Sequence, residues 1–133
     1  MGYEITAIES DVRIARADEA PALKRLQAAT KAKAWEHGLE ARDMLAILRA
    51  KNLDDALGVL GWEVSRDDDD RVDGLSYEGK VSGNEGQVLS LLAPFVKKGS
   101  WIAVTGEDGD EWRWVFDGEE AIEDWSEAGG EDE

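Results

Sequence analysis

Residues 100–125, "SWIAVTGEDGDEWRWVFDGEEAIEDW", decide the reading of this chain. "SWIAVT" and "EWRWVF" are β-branched and aromatic runs joined by the Gly/Asp-rich "GEDGD", which marks two strands and a turn. The "DG" at 117–118 is a two-residue hairpin signal leading into a third strand within "EEAIEDW". Side chains alternate along a strand, so Trp112, Trp114 and Phe116 share one face while Arg113 and Val115 take the other. An aromatic stripe of this kind is core when helices cover it, and burial of large aromatics is its usual use. A base-stacking platform is the rival. Such platforms pair aromatics with basic residues, and here Arg113 is the only base beside thirteen acids between residues 107 and 133. Phosphate repulsion therefore opposes direct nucleic-acid binding.

Working back from this stretch, "LSYEGKV" places Leu75 and Tyr77 on one face and returns from "WEV" (62–64) through the turn "SRDDDDRVDG", which makes a second hairpin. "NLDDALGVLG" is a short helix: Asn52 caps it, Asp55 stands where a capping partner reaches back, Leu53, Ala56, Leu57 and Leu60 form its stripe, and Gly61 stops it. Asn84 and Gln87 mark a further helix start. Val88, Leu91, Leu92 and Phe95 form its buried side, and Lys97 and Lys98 fall in its last turn, where the helix dipole favours cations. Asp18 caps a helix beginning at Glu19, with Pro21 tolerated in the first turn. "LEARDMLAILRA" continues the helical pattern after a break at Gly38. At the start, "YEITAIESDVRI" alternates as Tyr3, Ile5, Ala7 and then Ile8, Val12, Ile14, so its inward parity switches and a bulge or tight turn is expected near residues 9–11.

These elements predict an α+β fold, an antiparallel meander sheet of five or six strands with three or four helices packed on one face. A length of 133 residues is that of one domain, read as 1–125 with an acidic tail at 126–133 expected to be disordered, because "SEAGGEDE" has almost nothing apolar to hold it down. Without cysteine there is no disulfide framework, zinc-thiolate site or thiol nucleophile. The start "MGYEITAIESDVRIAR" lacks a signal-peptide pattern, and no apolar run is long enough to span a bilayer, so a cytoplasmic location is expected. Gly2 with Thr6 matches a myristoylation pattern, but Thr6 belongs to an evident strand.

Charge divides the chain. Residues 1–61 hold nine Lys/Arg against ten Asp/Glu, whereas residues 62–133 hold six against twenty-one, so −15 of the net −16 lies in the second part. Such a field is directional; solubility is the plain alternative reading of an acidic surface, with a net charge above the roughly 2–8 usual for a small domain.

Each chemical motif fails on spacing. Reading "DDDDRVDG" as a calcium loop with Asp69 first and Gly74 sixth puts Arg71 third and Lys80 twelfth, where a carboxylate is required. His37 stands with Glu36 and Glu40 but needs further ligands from elsewhere to hold a metal. "GEDG" and "SGNEG" lack the lysine and spacing of a phosphate cradle, and no serine sits in a nucleophile elbow. No cofactor is implied.

The segments "GYEITAIESDVRI", "GWEVSRDDDDRVDGLSYEGK" and "LLAPFVKKGSWIAVTGEDGDEWRWVFDGEEAIE" together resemble a loose group of small acidic bacterial and phage proteins with no assigned activity. The likeness covers residues 3–123 and implies the α+β meander; it carries over no catalytic residue. The expectation for function is a non-enzymatic acidic module that binds a basic protein surface, in its sharpest form a nucleic-acid-mimicking inhibitor of the kind phages direct at host defence. Asp67, Asp68, Asp69 and Asp70 in one turn, with Glu107, Asp108, Asp110 and Glu111 in the other, are the expected partner-binding residues, since carboxylates on turns can stand in for phosphates and speed encounter. A small hydrolase or transferase using a carboxylate-bound divalent ion is the alternative, and a structural domain without catalysis is a third. Convergent acids with raised pKa in a cleft would mark the enzyme, a convex acidic ridge the mimic.

Overall fold

The computed structural model describes residues 3–125. In chain order the elements are β1 (Glu4–Asp11), α1 (Arg16–Lys31), α2 (Ala41–Arg49), α3 (Leu53–Val59), β2 (Trp62–Arg66), β3 (Val72–Lys80), α4 (Glu85–Leu92), a 3-10 turn (Ala93–Phe95), β4 (Trp101–Gly106), β5 (Glu111–Phe116) and β6 (Ala121–Asp124). The fold is α+β, with all six strands antiparallel in one sheet of order β2-β3-β1-β4-β5-β6 and the helices packed against it. Strands β4, β5 and β6 form the expected meander and β2–β3 the expected hairpin. The first strand joins these two units as the centre of the sheet. The expected disorder of 126–133 lies outside the described residues.

The inward face carries Ile5, Ala7, Trp62, Leu75, Tyr77, Ile102, Val104, Trp112, Trp114 and Phe116, all buried. Trp62 of edge strand β2 meets Trp114 of β5 at 6.1 Å between ring centroids, although β3, β1 and β4 lie between their strands. Neighbouring strands are ~4.8 Å apart and side chains stand roughly perpendicular to a sheet, so this contact requires the sheet to curl toward its inner side. Helix α3 covers β2 and α4 covers β6, while α1 bridges α2, α3 and α4 and closes the concavity. The aromatic stripe is therefore core: Tyr77, Trp62, Trp114 and Trp112 touch in succession, and Trp112 stacks on Trp125 at 4.7 Å. The indole N–H groups of Trp62 and Trp112 are buried with no acceptor among the described residues, a cost of about 1–3 kcal/mol each that the aromatic burial offsets.

Several local expectations shift. The irregularity in β1 lies between Thr6 and Glu9, earlier than residues 9–11, and it turns Ile8 outward to 70% exposure while Val12 and Ile14 stay in the core. Helix α1 starts at Arg16, so Asp18 sits in its first turn and Ala15 occupies the cap without a side-chain bond. Asn52 does cap α3, accepting from the Asp55 N–H at 2.8 Å, and Gly61 takes the left-handed φ of 94° that ends it. Asn84 and Gln87 are diverted from capping α4. Asn84 accepts from the His37 N–H and donates to the Gly38 carbonyl, and Gln87 bonds the Glu36 N–H and the Ala34 carbonyl, so both tie down the loop after α1. Glu85 holds the start of α4 instead, accepting from the N–H groups of Ser82 and Gly83. Because α4 stops at Leu92, Lys97 and Lys98 lie beyond it and serve no helix end. The turn from β5 to β6 spans residues 117–120 rather than two residues, closed by Asp117, whose carboxylate accepts from Glu119 and Glu120.

Candidate functional site

The two acidic turns stand at opposite ends of the sheet. At one end the β4–β5 turn meets the start of β1: the Glu4 N–H donates to the Glu107 carboxylate at 2.6 Å and the Glu107 N–H to the Glu4 carbonyl at 2.9 Å. At the other end the β2–β3 turn meets the exit of β1, where the Val12 N–H reaches the Asp73 carbonyl and Arg16 reaches the Asp69 carbonyl. Eight residue steps of strand separate residues 4 and 12, on the order of 26 Å. The eight expected partner-binding acids thus form two groups of four, not one patch.

Within each group half the carboxylates are engaged in building the turn. Asp67 accepts from the N–H groups of Asp69 and Arg71, which hold its pKa below the usual carboxylate value, Arg71 first. Asp70 adopts a left-handed φ of 63° and faces Arg16 and Arg66. Arg66 is the clamp of that end: it donates to Glu19 of α1 at 2.8 Å, to Asp54 of α3 at 2.6 Å and to the Asp70 carbonyl, and the hydrogen bonds to Glu19 and Asp54 raise its pKa further. In the other turn Asp108 accepts the Tyr3 hydroxyl at 2.6 Å and the Asp110 N–H, so its own pKa falls while that of Tyr3 is pushed up to about 12. Tyr3 reaches Asp108 by crossing Gly106, where any Cβ would stand 1.7 Å from the phenolic oxygen. Asp68, Asp69, Asp110 and Glu111 extend their side chains into solvent.

Between these ends lies a surface that sequence reasoning did not single out, the outer face of the sheet. Cross-strand pairing puts Glu63 beside Ser76, Thr6 beside Glu78, Glu9 beside Ala103, Asp11 beside Trp101 and Thr105 beside Glu111. No described helix covers them, and since the inner side is concave this face is the convex one. Its apolar members are exposed Ile8 on β1, half-buried Trp101 and Val115 on β4 and β5, and exposed Ile122 on the edge strand β6; the Arg113 guanidinium lies 4.6 Å over the Trp101 ring. The alternation of Arg113 and Val115 against the buried tryptophans was the available signal. What alternation could not give was the lateral order that brings Glu9, Glu63 and Glu78 onto neighbouring strands.

Charge is segregated across the molecule. Residues 20–51, which contain most of α1 and all of α2, hold seven Lys/Arg against three Asp/Glu, a net of +4 that leaves −20 on the remainder. Among the described residues no three His, Asp or Glu side chains converge as metal ligands do, and His37 stands exposed with its ring against Gly83. Among the described residues the three carboxylates with a resolved shift, Asp67, Asp108 and Asp117, are all lowered by hydrogen bonds, opposite to a general acid awaiting a proton. No described helix is long and apolar enough to cross a membrane. No family model, curated protein or solved structure matches the chain.

Proposed function

We propose that this chain is a non-enzymatic protein-binding module whose convex, acid-bearing sheet face docks on a basic surface of another protein. The observation that carries the reading is the outer face itself: Glu9, Asp11, Glu63, Glu78 and Glu111 share with exposed Ile8 and half-buried Trp101 and Val115 a sheet side that no described helix covers. Carboxylates interspersed with accessible apolar side chains suit a docking surface, where the apolar contacts hold and the charges steer. Asp68, Asp69, Asp110 and Glu111 extend the negative field at both ends. In its sharper form the partner is a nucleic-acid-binding protein and the carboxylates replace phosphates: Glu9 and Asp11, at alternate strand positions, are ~6.8 Å apart along the chain. The likeness to small acidic bacterial and phage proteins gives that form its motive.

The test is capture at low and at high salt with the immobilised chain, followed by association kinetics with the recovered partner. The expected partner is rich in Lys/Arg, and its on-rate falls about tenfold or more when Glu9, Glu63, Glu78 and Glu111 are changed together to Gln, with a smaller change in off-rate. A partner whose association ignores both salt and these four changes would refute the reading.

A further inference from the structure

A cleft of about 450 Å³ opens at the end of the sheet where β1 gives way to α1. Its volume falls in the range of roughly 300–1,000 Å³ found for small-molecule sites. The floor is apolar and rigid. Ile14 bridges to Val72 on one side and Val96 on the other, all three are buried, and Pro94 and Phe95 supply a wall.

The rim of this cleft is basic, in a chain where acids outnumber bases 31 to 15. Arg13, Arg71 and Lys97 line it, and Lys98 continues the basic edge into an adjoining hollow that also touches Arg13 and Lys97. Asp18 and Asp67 are the opposing charges. Asp67 already spends a carboxylate oxygen on the N–H groups of Asp69 and Arg71, and Arg13 is held by Asp11 at 2.7 Å. Arg71 and Lys97 are exposed and enter no ion pair within 4.0 Å among the described residues, although the Arg71 charge is close enough to help lower the pKa of Asp67. Exposed cations without an ion pair among the described residues are common in this chain, Lys24, Lys33 and Lys51 being others; what sets Arg71 and Lys97 apart is that they frame one cleft. A role in solubility alone would ask for no apolar floor beneath them. Ala15 also lines the cleft and leaves the start of α1 without a side-chain cap, which adds the positive end of a 16-residue helix.

The geometry points to a binding site for a small amphiphilic anion, its carboxylate or phosphate headgroup on Arg71 and Lys97 and its apolar body over Ile14, Val72 and Phe95. This site is independent of the sheet-face reading, since it asks nothing of Glu9, Glu63 or Glu78.

Calorimetric titration with amide chemical-shift mapping, at about 0.15 M salt to screen the net charge, tests it with four probes. Octanoate and octyl phosphate carry both features, inorganic phosphate only the anion and octanol only the chain. Saturable binding of either amphiphile, with shifts centred on Ile14, Val72, Phe95 and Lys97, is the expected result, and the tighter of the two identifies the headgroup. Arg71→Ala and Lys97→Ala should each weaken it about tenfold or more, Lys97→Arg should retain it, and Lys24→Ala on the exposed side of α1 should leave it unchanged. Both alanine changes fall on exposed side chains, so an unaltered amide spectrum elsewhere certifies the fold. No saturation by either amphiphile up to about 10 mM would overturn the site. So would equal binding of inorganic phosphate or octanol, or affinity indifferent to both alanine changes.

Discussion

The two faces of this one sheet are built from the same strands yet obey different rules. On β5, Trp112, Trp114 and Phe116 are buried in the concave side while Arg113 and Val115, their immediate neighbours, lie on the convex side. The inner face carries a continuous string of aromatic contacts within a buried core, so volume lost there leaves a cavity. The outer face is a set of acids and a few apolar side chains whose only fixed partners are lateral. Inward side chains carry stability, and the outward ones are left to carry recognition.

The largest effect expected is from Trp114→Ala. It removes the ring that touches both Trp62 and Trp112, and the loss should be about 3–5 kcal/mol by denaturant unfolding, with m unchanged. Val115→Ala, one residue away, should cost under about 1.5 kcal/mol, and equal losses at the two positions would break the contrast.

Arg66→Ala comes next, with about 2–3 kcal/mol expected. Glu19 and Asp54 are left facing each other across α1 and α3, but Asp54 is half in solvent, which keeps the loss below that of a fully buried pair. If the clamp contributes as argued, Arg66→Lys recovers part of the loss and not all, because an ammonium cannot serve two carboxylates and a carbonyl with one planar fork. Asn52→Ala should cost about 1 kcal/mol through the lost α3 cap, with no change in any binding measured at the sheet face.

Titration sharpens the comparison at the turns. The folded pKa of Asp108 lies below its unfolded value, so its contribution to stability is complete above about pH 4 and disappears as pH falls through the folded value. Tyr3 has the opposite sense: its pKa near 12 means that stability present below pH 10 is lost as pH rises from 10 toward 12. Tyr77 is also pushed up to about 12, chiefly by burial. Phenolate absorbance should therefore show neither tyrosine ionising near pH 10 in the wild type, and Asp108→Asn should bring one of the two down toward that value. An unchanged titration curve in Asp108→Asn would show that the Tyr3–Asp108 bond is not formed in solution.

The smallest effect belongs to the outer acids. Changing Glu9, Glu63, Glu78 and Glu111 to Gln one at a time should move stability by no more than about 0.5 kcal/mol, and together they should raise it slightly by easing self-repulsion in a chain of net charge −16. Substantial destabilisation would mean that the convex face is part of the fold and not a free surface.

Much of the architecture was legible because its cause is local. Period-two alternation fixed the strands around Trp114 and Tyr77, Gly61 fixed the end of α3, and Asn52 fixed its start; each signal is complete within a few residues. Several of the errors arise where a distant partner outbids a local one, others where an element begins or stops a few residues from the expected place. Asn84 and Gln87 have the sequence of a helix start, but carbonyls and N–H groups at residues 34–38 take them. Lys97 and Lys98 suit a helix end, yet the helix stops at Leu92 and leaves them over a cleft. Glu107 and Asp108 read as solvated acids until the start of β1 arrives to use them.

By itself, then, the sequence determined which segments are strands and helices, which face of β5 is apolar, and that the negative charge is concentrated after residue 61. Tertiary structure alone decided that β1 is central, that the two acidic turns lie at opposite ends, that the sheet curls until Trp62 meets Trp114, and that Arg71 and Lys97 converge. The reason is that strand order and convergence depend on contacts between residues far apart in the chain. Alternation records which way a side chain points from its own strand, and holds no information on which strand will lie beside it.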